Sequence, residues 1–279
     1  MNKTIKFLSS LFVVALLFVI AMFIFENNLI TRQLILTLYL FTPLIAIVLI
    51  EQKNPVKIFK NYTISFKKLN KQKALCVIGG ITLLYPIINL TCIYFLGNIL
   101  GISQLGEIAI PTGKLSLFGV NIAENMTVRI FLLYVYYLIF GLIAGLTYNT
   151  LFALGSEVAW RGFLSQNMNV GYYKKNIMTG IIWASWYLPI ILCNNDGGNV
   201  LPIIIVTYGI YIAFSFLLYN VYRAINSVII SSIVSGIIVS FGGYSIVKGG
   251  LNYSNGIIMI ISILILILIF SRYIKNKKV

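Results

Sequence analysis

The sequence predicts an all-α, polytopic membrane protein of eight transmembrane helices, and three observations predict it. Of 279 residues, 59% are hydrophobic and 10% charged, whereas an ordinary soluble domain carries roughly a quarter charged residues. Eight apolar runs approach the length of about 20 residues that crosses a hydrocarbon core. The basic residues sort onto one side of those runs, as topology signals do. Six acids and 21 bases cannot mask this much Ile, Leu, Phe and Tyr from water, but lipid needs no masking.

The apolar runs lie at residues 7–25, 33–50, 74–100, 130–155, 177–193, 200–218, 225–247 and 257–271. The first follows Lys3 and Lys6 in the manner of a signal peptide. It exceeds a typical h-region and has no small-x-small cleavage site after it, so a retained helix is expected. Pro43, Pro86 and Pro189 interrupt helical runs and each removes a backbone hydrogen bond, which marks expected kinks. Gly141 and Gly145 form a Gly-x-x-x-Gly pair that permits close helix approach, most simply as ordinary packing. The segment 101–127, with Gly101, Gly106, Pro111 and Gly113, reads as a loop that can hold a short interfacial helix. No repeat, low-complexity tract or soluble domain interrupts the pattern, so residues 1–279 form a single membrane domain.

Eight spans fix which loops share a side. With both termini in the cytoplasm, the inner set is Lys3, Lys6, the seven lysines from Lys53 to Lys73, Arg161, Lys174, Lys175, Arg223, Arg272, Lys275, Lys277 and Lys278. Only Arg32, Lys114, Arg129 and Lys248 fall outside, a split of 17 to 4. Removing or adding one span would scramble it. The formal charge of +15 is therefore a topology signal, and no nucleic-acid partner is expected. The lysine-rich segment from Glu51 to Lys73 can also lie on anionic lipid head groups.

Cofactor chemistry finds few residues to work with. The chain has no histidine. Its acids are Glu26, Glu51, Glu107, Glu124, Glu157 and Asp196, and Cys76, Cys92 and Cys193 show no fixed spacing. Neither a metal site nor a disulfide framework is expected. A rhomboid-type dyad, an aspartyl pair and a zinc-binding His-Glu-x-x-His are all missing from the sequence.

One segment carries chemistry. At the end of the fourth run the chain reads Gly155-Ser156-Glu157-Val158-Ala159-Trp160-Arg161-Gly162-Phe163-Leu164. A charge in hydrocarbon costs several kcal/mol, of order 3, unless paired or wetted. Arg161 lies one helical turn beyond Glu157 on the same face, with the acid on the favoured N-terminal side. Two readings are open. In one, the pair is a salt bridge pinning the helix end near the cytoplasmic interface, with Trp160 as an interfacial anchor. In the other, the pair belongs to a polar site opening into a cavity.

The run Glu157 to Leu164 resembles the Glu-Glu-x-x-x-Arg signature of the CPBP (CAAX protease and bacteriocin-processing, or Abi) family of intramembrane proteases. Trp183-Ala184-Ser185-Trp186-Tyr187-Leu188-Pro189 is similar to that family's second motif, an aromatic followed four residues later by histidine and Leu-Pro. The stretch from Phe216 to Val239, with Leu218-Tyr219-Asn220, Arg223 and Asn226-Ser227-Val228, resembles the approach to the third motif, His-x-x-x-Asn. The likeness covers residues 130–245 and implies an eight-helix CPBP-type bundle in a bacterial cytoplasmic membrane.

In active members, the resemblance implies, the first glutamate and the second-motif histidine activate water, and the third-motif histidine and asparagine stabilise the oxyanion. Here those four positions are Ser156, Tyr187, Ser235 and Val239, none of them the family residue. Glu157 and Arg161 match the second glutamate and the arginine. Serine is no base near pH 7 and valine donates no side-chain hydrogen bond. Loss of the base costs about 10² to 10⁴ in rate and loss of an oxyanion donor about 10² to 10³. The resemblance thus implies a non-catalytic pseudoprotease that binds a hydrophobic peptide or membrane protein, in bacteriocin immunity or peptide maturation. The alternative is an active endopeptidase using Glu157 with Tyr187 and Ser235. A transporter is a third class, disfavoured because the spans carry no other ionisable path.

Overall fold

The structure is a computed structural model that describes residues 3–62, 70–99, 116–117, 120–121, 139, 141–193, 200–243 and 253–276. Almost all of these are helical. The chain forms α1 (Lys3–Ile24), α2 (Leu29–Tyr39), α3 (Thr42–Glu51), α4 (Pro55–Tyr62) and α5 (Lys71–Ile99). After a short strand pair come α6 (Tyr148–Glu157), a π-helical stretch (Val158–Leu164) and α7 (Ser165–Asn167). The bundle closes with α8 (Tyr172–Cys193), α9 (Val200–Ile225), α10 (Val228–Gly243) and α11 (Tyr253–Asn276).

Four described helices are long and apolar enough to cross a membrane: Lys3–Ile24, Lys71–Ile93, Tyr172–Cys193 and Val200–Ile225. A fifth results if α2 and α3, which meet at 53°, make one bent span. Val228–Phe241 and Gly256–Ser271 are shorter apolar helices. Most of the run expected at 130–155 before residue 141 lies outside the described residues, as does nearly all of 101–127. Within the latter, Ser116–Leu117 pairs antiparallel with Val120–Asn121 where a loop was expected.

The outward faces are as apolar as the core. On α1, Phe7 and Leu11 are fully buried, while Val13, Leu16 and Leu17 are about 60% exposed. Contact with hydrocarbon stabilises such a face, and contact with water would not. α8 packs on α9, α10 on α6, and α11 on α9 and α5, with α1 lying across α3.

Glycine sets how closely some of these helices approach. A Cβ on Gly145 would stand 2.8 Å from the Ile237 Cα, so a bare backbone is required where the α6 side of the chain meets α10. The expected Gly-x-x-x-Gly pair serves packing: Gly141 lies against the Phe241 ring. Of the expected kinks, Pro43 falls in the first turn of α3, just past the break, where a missing N–H costs nothing. Pro86 and Pro189 lie inside α5 and α8.

The turn from α9 to α10 is made by Asn226 in the left-handed region, φ 57°, which asparagine tolerates better than most residues. The Ser227 hydroxyl then accepts from Ile230 N at 3.4 Å to cap α10. That turn brings α10 back beside α6 and completes the wall described next.

Candidate functional site

The Glu157 segment is buried from end to end. Residues Val158–Leu164 form a π-helix in which Ser165 N bonds back five residues to Trp160 O. Such wide turns occur often at functional sites. Gly162 lets Tyr62 of α4 sit directly on this stretch, since a Cβ there would come within 2.7 Å of the Tyr62 Cβ. Phe163 packs on Phe7 at 5.2 Å and on Tyr62 at 5.8 Å.

Glu157 is 0% exposed and Arg161 1%. Arg161 Nη1 donates to Glu157 Oε1 at 2.9 Å. Nη2 donates to the Phe214 carbonyl on α9 at 3.3 Å. The guanidinium lies over the Trp183 ring of α8, 4.9 Å from its centroid. Glu157 Oε2 and Trp160 Nε1 have no hydrogen-bond partner among the described residues. The pair thus ties the end of α6 to two other helices.

Trp160 departs from the interfacial-anchor reading. It is 1% exposed, with its ring 6.0 Å from Trp183, 5.9 Å from Trp186 and 6.1 Å from Phe7. A three-residue aromatic cluster recruits it into the core, where it buries more apolar area than an interface position allows.

Beside this segment lies a cavity of about 360 Å³, within the usual size range of small-ligand sites, roughly 300–1,000 Å³. Ser156, Tyr187, Ser235 and Val239 all line it. These four positions sit on α6, α8 and α10 and are brought to one chamber by the packing of α10 on α6 and of α8 on α9. Ser156 donates to Ala153 O at 3.0 Å, within its own helix. Ser235 is 2% exposed, and Val239, at 45%, stands at the rim. Glu157 and Arg161 are not among the lining residues.

The walls include residues that sequence reasoning left without a role. Asn149 of α6 donates through Nδ2 to Ser240 Oγ at 2.7 Å. Along α9 the lining residues recur as Ile203, Val206, Thr207, Ile210, Tyr211 and Phe214, the spacing of one helix face. Thr207 and Tyr211 lie four apart on that face, but Tyr208 and Ser215 interrupt the same apolar run, so the sequence alone did not single the face out. Trp183, Tyr211 and Tyr187 pack in sequence with tilted rings, their centroids 5.0 and 5.3 Å apart.

The α2–α3 break supports the same chamber. Leu40 lines it, and on either side Tyr39 and Thr42 hold Trp186. Tyr39 donates to the Trp186 carbonyl and stacks on its ring at 5.3 Å and 16°. Trp186 Nε1 donates to Thr42 Oγ1 at 2.8 Å.

Among the described residues no charged side chain lines the cavity, and no three of His, Cys, Asp or Glu come together to hold a metal. What the chamber offers is hydroxyls, one carboxamide and aromatic faces: a surface that binds apolar groups and hydrogen-bonds carbonyls. No family model matches the chain, and no curated protein matches it.

Proposed function

We propose that the chain is a degenerate relative of the CPBP intramembrane proteases that binds a hydrophobic peptide or a membrane partner in this cavity without cleaving it. One observation carries the proposal. Ser156, Tyr187, Ser235 and Val239, matched to the family's catalytic positions through three separate motifs, line a single chamber. The residues in those places supply no general base and at most hydroxyl donors, which favours binding over turnover.

The proposal extends to an eight-span bundle in a bacterial cytoplasmic membrane with both termini inside. Contacts between segments support that parse. Arg32 Nη2 donates to Cys193 O at 3.0 Å, joining two segments assigned outside. Thr4 Oγ1 donates to Asn167 O at 3.4 Å and Tyr172 to Asn220 Oδ1 at 2.8 Å, joining segments assigned inside. In a cell, a role in bacteriocin immunity or peptide maturation follows from such binding.

The active alternative needs the Glu157 carboxylate to leave Arg161 and cross to the wall where Ser156 stands. A fully buried pair at 2.9 Å opposes that movement.

The test is binding and turnover measured together, on the full chain in lipid nanodiscs with hydrophobic leader peptides and prenylated peptides. Saturable binding without a cleavage product is expected, and Ser235→Phe, which fills the cavity, should abolish it. Cleavage that disappears in Glu157→Gln would overturn the proposal. So would unchanged binding by a folded Ser235→Phe protein.

A further inference from the structure

The buried ion pair and the cavity share a wall. Trp183 and Phe214 line the cavity, and both are held by Arg161, one through its ring at 4.9 Å and the other through its carbonyl at 3.3 Å. Glu157 fixes the guanidinium through Nη1 at 2.9 Å. Trp183 in turn packs on Tyr211 at 5.0 Å and on Phe214 at 6.0 Å. The orientation of the aromatic wall therefore runs back to one guanidinium that does not itself face the cavity.

A salt bridge that only neutralised charge would be served by lysine. The contacts seen here need more: a flat cation to lie on the indole face, and donors in a fixed fork to reach a carboxylate and a carbonyl at once. An ammonium is a point charge and cannot set the plane of a ring.

We propose that Glu157 and Arg161 are positioning residues for ligand recognition: they hold the Trp183 indole and the Phe214 backbone, and so shape the cavity without touching what binds there. The inference rests on the reading of the cavity as a binding site. It gives the Glu-x-x-x-Arg segment a use in a chain that has no general base beside it.

The experiment uses the full chain labelled with 5-fluorotryptophan in nanodiscs, whose three tryptophans give three ¹⁹F resonances, assigned by single Trp→Phe variants. The probe is the uncharged peptide acetyl-(Leu-Ala)₃-amide. Arg161→Lys keeps the charge and is expected to keep the unfolding temperature. It should move or broaden the Trp183 resonance, leave Trp186 in place, and weaken peptide binding at least tenfold. The double variant Glu157→Leu with Arg161→Met, which buries no charge, should show the same two effects if Arg161→Lys fails to fold. An unmoved Trp183 resonance with unchanged affinity in either folded variant would overturn the proposal and reduce the pair to a structural tie. An unmoved resonance alone would overturn it too. If the parent protein does not bind the peptide, the binding-site reading fails, and the Trp183 resonance still reports on the brace.

Discussion

Two glutamates close apolar helices in this protein, and each has a cation 2.9 Å away. Glu157 meets Arg161 with exposures of 0% and 1%. Glu51 meets Lys53 with exposures of 11% and 47%, and also accepts a hydrogen bond from the Tyr62 hydroxyl. Burial, with the Glu51 carboxylate beside it, pushes the Tyr62 phenol above its ordinary range. Equal distances conceal unequal consequences. If the outer pair opens, Lys53 is already about half exposed and Glu51 keeps the Tyr62 hydroxyl. If the inner pair opens, the buried Glu157 carboxylate loses the one hydrogen-bond partner it has among the described residues, and the aromatic wall beside Arg161 loses its support.

The largest test of that contrast is Arg161→Ala, which strands the Glu157 carboxylate and should cost about 3–5 kcal/mol. Unfolding in detergent measures it. Glu157→Leu combined with Arg161→Met should recover most of the loss; a double variant as unstable as the single one would break the comparison.

Next comes a packing test on the buried side. Gly145→Ala forces a methyl group toward the Ile237 backbone and should cost about 1–3 kcal/mol. Gly79→Ala on α5, where nothing lies within 4 Å, should instead stabilise by about 0.5–1 kcal/mol. Equal effects at the two glycines would mean that the chain at Gly145 and α10 can separate without penalty.

Around Glu51 the effects shrink. Tyr62→Phe removes a hydrogen bond to a carboxylate and should cost about 1.5 kcal/mol by the same unfolding measurement. Lys53→Ala should cost only about 0.2–1 kcal/mol, and the difference from the parent should fade in 1 M salt. A salt-resistant loss there would show that exposure does not separate the two pairs.

The pairing of Glu157 with Arg161 could be read from the chain because it is local: four residues, one turn, one acid before one base. The same holds for Gly141 and Gly145 as a close-approach surface and for Pro43 as a kink, which falls beside the 53° bend between α2 and α3. The fate of Trp160 could not be read in this way. Its sequence position beside a loop that the charge pattern assigns to the cytoplasm suits an interface, and its burial depends on Phe7, Trp183 and Trp186, which come from two other helices. The π-helical stretch was equally hidden, because residues 158–164 carry nothing that distinguishes a wide turn from an α-helical one.

Composition and apolar run length determined that this protein is helical and suited to a membrane, since only helices satisfy their own backbone in hydrocarbon without a closed sheet. Which face of each helix turns inward was left to the tertiary structure. Leu11 is fully buried and Leu17 is 60% exposed on one helix, and no difference in residue type tells them apart, because lipid and core are both apolar solvents. The chamber is a product of the same ambiguity resolved. Ser156, Tyr187 and Ser235 come from three helices, and only the docking of α10 on α6 and α8 on α9 turned them toward a common space.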